Sequence, residues 1–193
     1  MANNEVRIIG GQWRGRKLRF PARNELRPTL GRVRETLFNW LAPVIAGARC
    51  LDLFAGSGAL GFEALSRGAA EVTFVEKDRK AAHALRDNIA QFSAAGIVVN
   101  RPAIRFLNSN PDRYDIIFLD PPFADPSAAG LLERLLNRHL EADGLIYWEA
   151  SAHSALPAGG RLHRQGQAGD CAFALIAPGV AGDTSGEAYG KGS

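Results

Sequence analysis

An apolar run turns into a glycine-rich loop at residues 50–61, CLDLFAGSGALG. The run at 50–54 is typical of a buried strand, and the glycines allow a sharp turn into a helix and close approach by a ligand. Gly56, Gly58 and Gly61 fit the pattern G-x-G-x-x-G, which predicts a cofactor at the carboxyl edge of a parallel sheet. This pattern alone fits a dinucleotide dehydrogenase as well as a methyltransferase.

Strands and helices alternate along the chain after this loop. Apolar runs predict the strands, and helical spacing of apolar residues predicts helices at 80–92 and 128–140. The runs at 161–163 and 172–176 predict a closing antiparallel pair. The result is an α/β fold of the Rossmann-like type, with a mostly parallel seven-stranded sheet and helices on both faces. The other predicted strands are residues 50–54, 71–75, 97–99, 115–119 and 145–148.

The chain divides into three parts. Residues 1–42 form an arm, in which loose apolar alternation between residues 7 and 20 predicts a hairpin, and helical spacing beyond it predicts a helix that ends before Pro43. Residues 43–177 form the main domain. Small and polar residues dominate 178–193 and predict a disordered tail.

The charge of the arm indicates a polyanionic partner. Residues 1–40 carry nine basic and three acidic side chains, a net charge of +6; because the whole chain carries +3, the remainder carries −3. Eight of the nine basic residues are arginines, whose planar guanidinium pairs with phosphate and stacks on bases. We therefore expect the arm to bind nucleic acid, with a merely solvated basic surface as the alternative.

Other features of the composition favour a cytoplasmic protein. The two cysteines, Cys50 and Cys171, are far apart and make no Cys-x-x-Cys pair, so neither a disulfide nor a zinc site is expected. No apolar run reaches the roughly 18 residues that a membrane-spanning helix needs. The four histidines have no metal-ligand spacing, and no metal is expected.

Two carboxylates near the glycine loop favour a methyltransferase over a dehydrogenase. Asp52 lies four residues before the first glycine, close to where a dehydrogenase binds an anionic pyrophosphate. A carboxylate there instead suits the cationic ammonium and sulfonium groups of S-adenosylmethionine. Glu76, at the end of the next strand, is placed to accept hydrogen bonds from ribose hydroxyls, a role common to both cofactors. The alternative for Asp52 is a turn-capping carboxylate.

The tetrapeptide Asp120-Pro121-Pro122-Phe123 follows another apolar strand. The carboxyl ends of parallel strands meet at one edge of a sheet, so this segment is expected beside the glycine loop. The prolines stiffen the chain and leave the Asp120 carboxylate and the Pro121 carbonyl as acceptors, which match the two N–H donors of an exocyclic amine. Phe123 would stack on the base. An ordinary proline-rich loop capped by aspartate is the alternative.

These motifs and the arm together resemble the bacterial small-subunit ribosomal RNA guanine-N2-methyltransferase family. The resemblance extends to about Pro178, and its most specific parts are RIIGGQWRGRKL at 7–18 and RVRETLFNWL at 32–41. It implies a class I S-adenosylmethionine-dependent methyltransferase with a small N-terminal hairpin-helix extension. It also implies a monomer that methylates N2 of one guanine in 16S ribosomal RNA within a small-subunit assembly particle.

Three sets of site residues follow from the motifs and the resemblance. The predicted catalytic residues are Asp120, Pro121, Pro122 and Phe123. The predicted residues for S-adenosylmethionine are Asp52, Phe54, Ala55, Gly56, Gly58, Glu76, Lys77 and Ala103. The predicted RNA-binding residues are Arg7, Trp13, Arg14, Arg16, Lys17, Arg27, Thr29, Arg32 and Arg34. Three alternatives stay open: an adenine-N6 methyltransferase acting on RNA or DNA, a non-catalytic ribosome-assembly factor that binds RNA, and a dehydrogenase.

Overall fold

The computed structural model describes residues 3–21, 30–121, 130–152 and 159–179. Four predicted site residues lie outside the described residues, as does the tail from residue 180 onward. They are Arg27, Thr29, Pro122 and Phe123.

The arm contains a hairpin and a helix, as the sequence predicted. Strands β1, Asn3–Arg7, and β2, Lys17–Pro21, pair antiparallel. A short 3-10 turn, Gly11–Trp13, lies in the connection between them. The helix α1 spans Leu30–Leu41 and ends two residues before Pro43.

The rest of the described chain alternates between strands and helices, and the predicted α/β fold is confirmed. Within the described residues the main sheet has seven strands in the order β5-β4-β3-β6-β7-β9-β8. Strands β3 to β7 are parallel, whereas β9 is antiparallel to both of its neighbours. The elements are β3 Arg49–Asp52, α2 Ala59–Ser66, β4 Glu71–Val75, α3 Arg79–Phe92, β5 Gly96–Val99, α4 Ala103–Ser109, β6 Tyr114–Leu119, α5 Leu131–Arg138, β7 Leu140–Ser151, β8 Gly160–Ala168 and β9 Cys171–Pro178.

Helices cover both faces of this sheet, and each face has its own core. Helices α1, α2 and α3 pack on the face that bears Phe74, Phe118 and Tyr147, which we call the arm face. Helices α4 and α5 pack on the opposite face, against residues that include Leu51 and Ile117. Val33, Leu37, Phe38 and Leu41 of α1 are buried on the arm face, so the arm helix shares its core with the sheet. The domain boundary at residues 42 and 43 stays a prediction.

Strand β8 was predicted at 161–163 and spans Gly160–Ala168, because it pairs with β9 along its whole length. The other strands of the main sheet start and end within a few residues of the predicted ones, except for β7. That strand was predicted at 145–148 and spans Leu140–Ser151, because Leu140 pairs with Tyr114 across an irregularity in the ladder. A helix between β5 and β6 was expected from the alternation of elements, but no range was predicted for α4. None of the helices in the described part of the chain is long and apolar enough to span a membrane.

Candidate active site

The register of three neighbouring strands brings Asp52, Glu76 and Asp120 to one edge of the sheet. Asp52, the last residue of β3, pairs with Phe74 of β4 on one side and with Phe118 of β6 on the other. Glu76 lies two residues after Phe74, and Asp120 lies two residues after Phe118. Both therefore flank the end of β3 at the same level. With strands about 4.8 Å apart, the backbone positions of Glu76 and Asp120 lie about 10 Å apart. This edge is the candidate active site.

Two glycines shape the loop between β3 and α2 in different ways. Gly58 adopts φ +78°, and a Cβ there would lie 2.6 Å from the Leu85 side chain and 2.8 Å from the Phe62 ring, so packing and conformation both demand glycine. Gly56 also has a positive φ, +52°, but a Cβ there would meet nothing closer than the Phe54 carbonyl oxygen at 3.8 Å. The loop at Gly56 is therefore open to a ligand that approaches the backbone closely.

Glu76 ties the glycine loop to the end of β4. The Gly56 N–H donates to one oxygen of the buried Glu76 carboxylate and the Asp78 N–H donates to the other, both at 2.8 Å. Asp78 in turn caps α3 by accepting a hydrogen bond from the Ala81 N–H. The Asn100 side-chain amide donates to the backbone carbonyls of Glu76 at 2.7 Å and Lys77 at 3.1 Å. Asn100 was not among the predicted site residues, since only the fold brings it beside β4.

Asp52 is buried behind the glycine loop and accepts a hydrogen bond from the Gly61 N–H in the first turn of α2, at 3.1 Å. The turn-capping role considered from the sequence is therefore present in the structure. Burial raises the pKa of Asp52 to about 7, the Gly61 hydrogen bond opposes this rise, and the negative charge of Glu76 adds to it. A cation beside Asp52 would stabilise its ionised form.

Asp120 and Pro121 follow β6 directly and are partly exposed at the edge. On the neighbouring strand β7, the buried Tyr147 hydroxyl donates to the buried Glu149 carboxylate at 2.6 Å. Burial, followed by the negative charges of Glu149 and Asp120, raises the pKa of Tyr147 well above its usual value. This pair was not predicted, although a glutamate inside an apolar strand is a signal that a buried partner exists.

The other predicted cofactor residues lie around the same edge. Phe54 packs partly against the core of the opposite face, Ala55 is buried, and Lys77 is exposed just beyond β4. Ala103 is buried as the first residue of α4, after Pro102 at the N-cap. Among the described residues, no cluster of three or more His, Cys, Asp or Glu side chains could hold a metal ion.

Arg34 requires a correction, because it is buried and helps to dock the arm. Its guanidinium is 5% exposed, donates to the Arg7 carbonyl at 2.5 Å and lies 3.9 Å from the Glu63 carboxylate. Burial lowers the pKa of Arg34, and the charge of Glu63 opposes that shift. The arginine was predicted to contact RNA, yet its charge is directed into the interface between the arm and α2.

The other predicted RNA-binding residues in the described part of the arm lie nearer to solvent. Trp13 is only partly buried and packs on Phe92 with 5.0 Å between ring centroids, while the Arg16 guanidinium lies 4.0 Å above the same Phe92 ring. The Lys17 ammonium pairs with Glu5 at 2.5 Å. The exposed predicted RNA-binding residues are Arg7, Arg14, Arg16, Lys17 and Arg32.

Comparison with known proteins gives consistent matches over most of the chain. The family model described as "Conserved hypothetical protein 95" matches residues 6–177. The chain is 50% identical over 183 residues to "Ribosomal RNA small subunit methyltransferase D" of Escherichia coli strain K12, covering 90% of each chain. It is 47% identical over 161 residues to the protein of the same name from Haemophilus influenzae, covering 80% of this chain and 83% of that one. A solved structure of the Escherichia coli protein yhhF is 48% identical, with a TM-score of 0.80 and coverage of 91% and 99%.

Proposed function

The chain belongs to the conserved hypothetical protein 95 family, and on this basis we propose that it transfers the methyl group of S-adenosylmethionine to N2 of a guanine in 16S ribosomal RNA. The observation that carries this proposal is that Glu76 and Asp120 lie at the same height along the sheet, on either side of the glycine loop that follows β3. The names of the curated relatives support methylation of small-subunit ribosomal RNA. Action on ribosomal RNA implies a cytoplasmic protein.

The residues present at the edge fit S-adenosylmethionine. The open backbone at Gly56 permits close approach, and the Glu76 carboxylate, which accepts the Gly56 and Asp78 N–H groups, is the proposed acceptor for the ribose hydroxyls. Asp52 places a carboxylate behind the loop, which favours a cationic ligand and disfavours an anionic pyrophosphate. Phe54, Ala55, Gly58, Lys77 and Ala103 complete the proposed site. When bound, the cofactor supplies a methyl group on a cationic sulfonium.

Asp120 and Pro121 perform the positioning step of the proposed reaction. A guanine N2 amine is a weak nucleophile because its lone pair is delocalised into the ring. The Asp120 carboxylate and the Pro121 carbonyl accept its two N–H groups and thereby align the lone pair with the methyl group. Asp120 then receives the proton that the amine loses after transfer. Pro122 and Phe123 belong to the proposed site by sequence, with Phe123 stacking on the extruded base.

A nucleoside analysis tests the assignment. Small ribosomal subunits lacking this methylation, and naked 16S ribosomal RNA, are incubated with the protein and methyl-tritiated S-adenosylmethionine, and the RNA is digested to nucleosides. We expect label in N2-methylguanosine, and transfer to the assembled particle in preference to naked RNA. Label in N6-methyladenosine would contradict the guanine assignment, and undetectable cofactor binding by calorimetry would favour the non-catalytic alternative.

Substitution of Asp120 tests its role separately from cofactor binding. Asp120→Ala should lower turnover by about 10²-fold or more, because the amine loses its acceptor, while cofactor affinity stays close to that of the unmodified protein. Asp143→Ala is the matched control, since Asp143 is exposed on β7 two residues before the parallel ladder with β6 resumes at Leu145, far from the active edge. Equal losses in both variants would count against a catalytic Asp120.

A further inference from the structure

The last strand of the sheet, β8, carries a row of exposed residues. Residues 161–165, RLHRQ, are all exposed, and within the described chain the outer edge of β8 pairs with no other strand. Neither arginine in this row, Arg161 or Arg164, makes an ion pair within the described residues. Among the described residues, no acidic partner therefore explains the basic character of this strand.

A bulge in β8 directs both arginines to the same side of the sheet. Leu162 pairs with Ile176 and Arg164 pairs with Leu175, so His163 is an extra residue without a partner. On a regular strand, two residues three positions apart face different sides of the sheet. In β8, however, Arg161 pairs with Ala177 and Arg164 pairs with Leu175, and paired residues face the same side. Ala177 and Leu175 both belong to the core of the arm face. Arg161 and Arg164 thus project from the arm face together.

This pair of arginines extends the charge of the arm across the sheet. Helix α1 contacts β8, and Arg32 is exposed in the first turn of α1. The β1–β2 hairpin lies toward the other end of the same face, where β2 packs on α3. Between β4 and β8 there are five strand spacings, or about 24 Å. Basic side chains therefore flank α1 on both sides of the face.

We propose that Arg161 and Arg164 bind phosphates of the same RNA whose base is presented to Asp120. The strands β8 and β6 are three spacings apart, about 14 Å, and Arg164 lies at the level of Phe118, two residues before Asp120. This proposal rests on the proposed function and adds the β8–β9 hairpin to its RNA footprint. Arginine forks suit phosphate, and the one apolar side chain of the row, Leu162, lies on the opposite face, so a polyanion fits better than an apolar protein partner.

Salt-dependent binding of a 16S ribosomal RNA transcript tests this proposal. In the full-length protein, R161A/R164A removes two phosphate contacts, so the slope of log K against log salt should fall by about 1.4–1.8, and affinity at 0.15 M salt should fall roughly tenfold or more. The matched control is R105A/R138A, which removes two exposed arginines from the helices of the opposite face and should change affinity less than twofold. R161K/R164K keeps the charge and should retain most of the slope.

The outcomes separate this proposal from the proposed function. An unchanged slope in R161A/R164A, or an equal fall in the control, overturns the β8 contact while methyl transfer by the unmodified protein still stands. A protein that fails to methylate any small-subunit RNA contradicts the proposed function, whatever its salt slope. Circular dichroism of all variants shows whether the fold is intact, and R161K/R164K supplies a second comparison if an alanine variant is unstable.

Discussion

Glu63→Ala should detach the arm hairpin from the methyltransferase sheet. The Glu63 side chain is 0% exposed and uses both carboxylate oxygens. One oxygen accepts the Gly10 N–H at 2.7 Å and the Arg67 Nε–H at 2.8 Å. The other accepts the Ile9 N–H at 2.7 Å and faces Arg34. A single side chain on α2 therefore holds two backbone groups and two cations.

The expected loss is large because the partners stay buried after the carboxylate is removed. Each backbone N–H left without an acceptor costs about 1–3 kcal/mol, and a buried charge left unpaired costs about 3–5 kcal/mol. These losses overlap, since they share one side chain, so we expect the free energy of unfolding to fall by about 3–5 kcal/mol. That is a third or more of the stability of many domains. Glu63→Gln keeps the shape and one acceptor, and should cost less.

Denaturant unfolding and amide hydrogen exchange measure the two parts of this prediction. Exchange at Ile9 and Gly10 should accelerate in Glu63→Ala, because those amides lose their acceptor, whereas amides in β3 and β6 should stay protected if the sheet remains folded. Glu35→Ala, on the exposed side of α1, is the control and should change stability by less than about 0.5 kcal/mol. The docking role of Glu63 would be refuted by a loss below 1 kcal/mol together with unchanged exchange at Ile9 and Gly10.

Two further predictions concern the glycine loop. Burial raises the pKa of Asp52 from 3.8 to about 7, so its contribution to stability is complete below pH 3.8 and is lost as pH rises through 7. Asp52→Asn should therefore be more stable than the unmodified protein at pH 8, by up to about 4 kcal/mol, and equally stable near pH 3.5. An equal difference in stability at both pH values would speak against the burial argument. Gly61→Ala would place a Cβ 2.2 Å from the Phe74 ring and should destabilise the protein by about 1–3 kcal/mol in thermal unfolding. At the control position, Gly31→Ala meets no atom within 4 Å and should stabilise α1 by up to about 1 kcal/mol. Similar effects at both positions would contradict the difference in packing.

Local patterns in the sequence were enough to predict most elements of the fold. The spacing of Gly56, Gly58 and Gly61 after an apolar run identified the turn from β3 into α2, because few residues other than glycine adopt the positive φ of Gly56 and Gly58. The run before Asp120 identified β6 in the same way. Parallel strands meet at one edge, so these two segments could be placed together before their distance was known. An aspartate directly before a run of helical spacing is typical of an N-cap, and Asp78 has that role at α3.

Side-chain partners across the fold could not be predicted from the same patterns. Arg34 and Arg32 lie two positions apart in one basic segment, yet one is buried against Glu63 and the other is exposed. Which of them faces inward depends on the angle at which α1 crosses the arm face, and that angle is set by packing against α2 and the sheet. The Tyr147 and Glu149 pair was missed for a related reason: a glutamate inside an apolar strand indicates that a partner exists, but only the packed core shows which residue it is.

The sequence by itself determined the alternation of elements, the glycine loop and the chemistry at the edge, because these depend on short-range backbone geometry and on residue type. The tertiary structure alone decided how the charges are divided. It directs Arg34 inward to Glu63 and raises the pKa of Asp52 by burial. One extra residue in β8 places both Arg161 and Arg164 on the arm face. Burial and strand register are properties of the whole fold, so no local pattern could have assigned them.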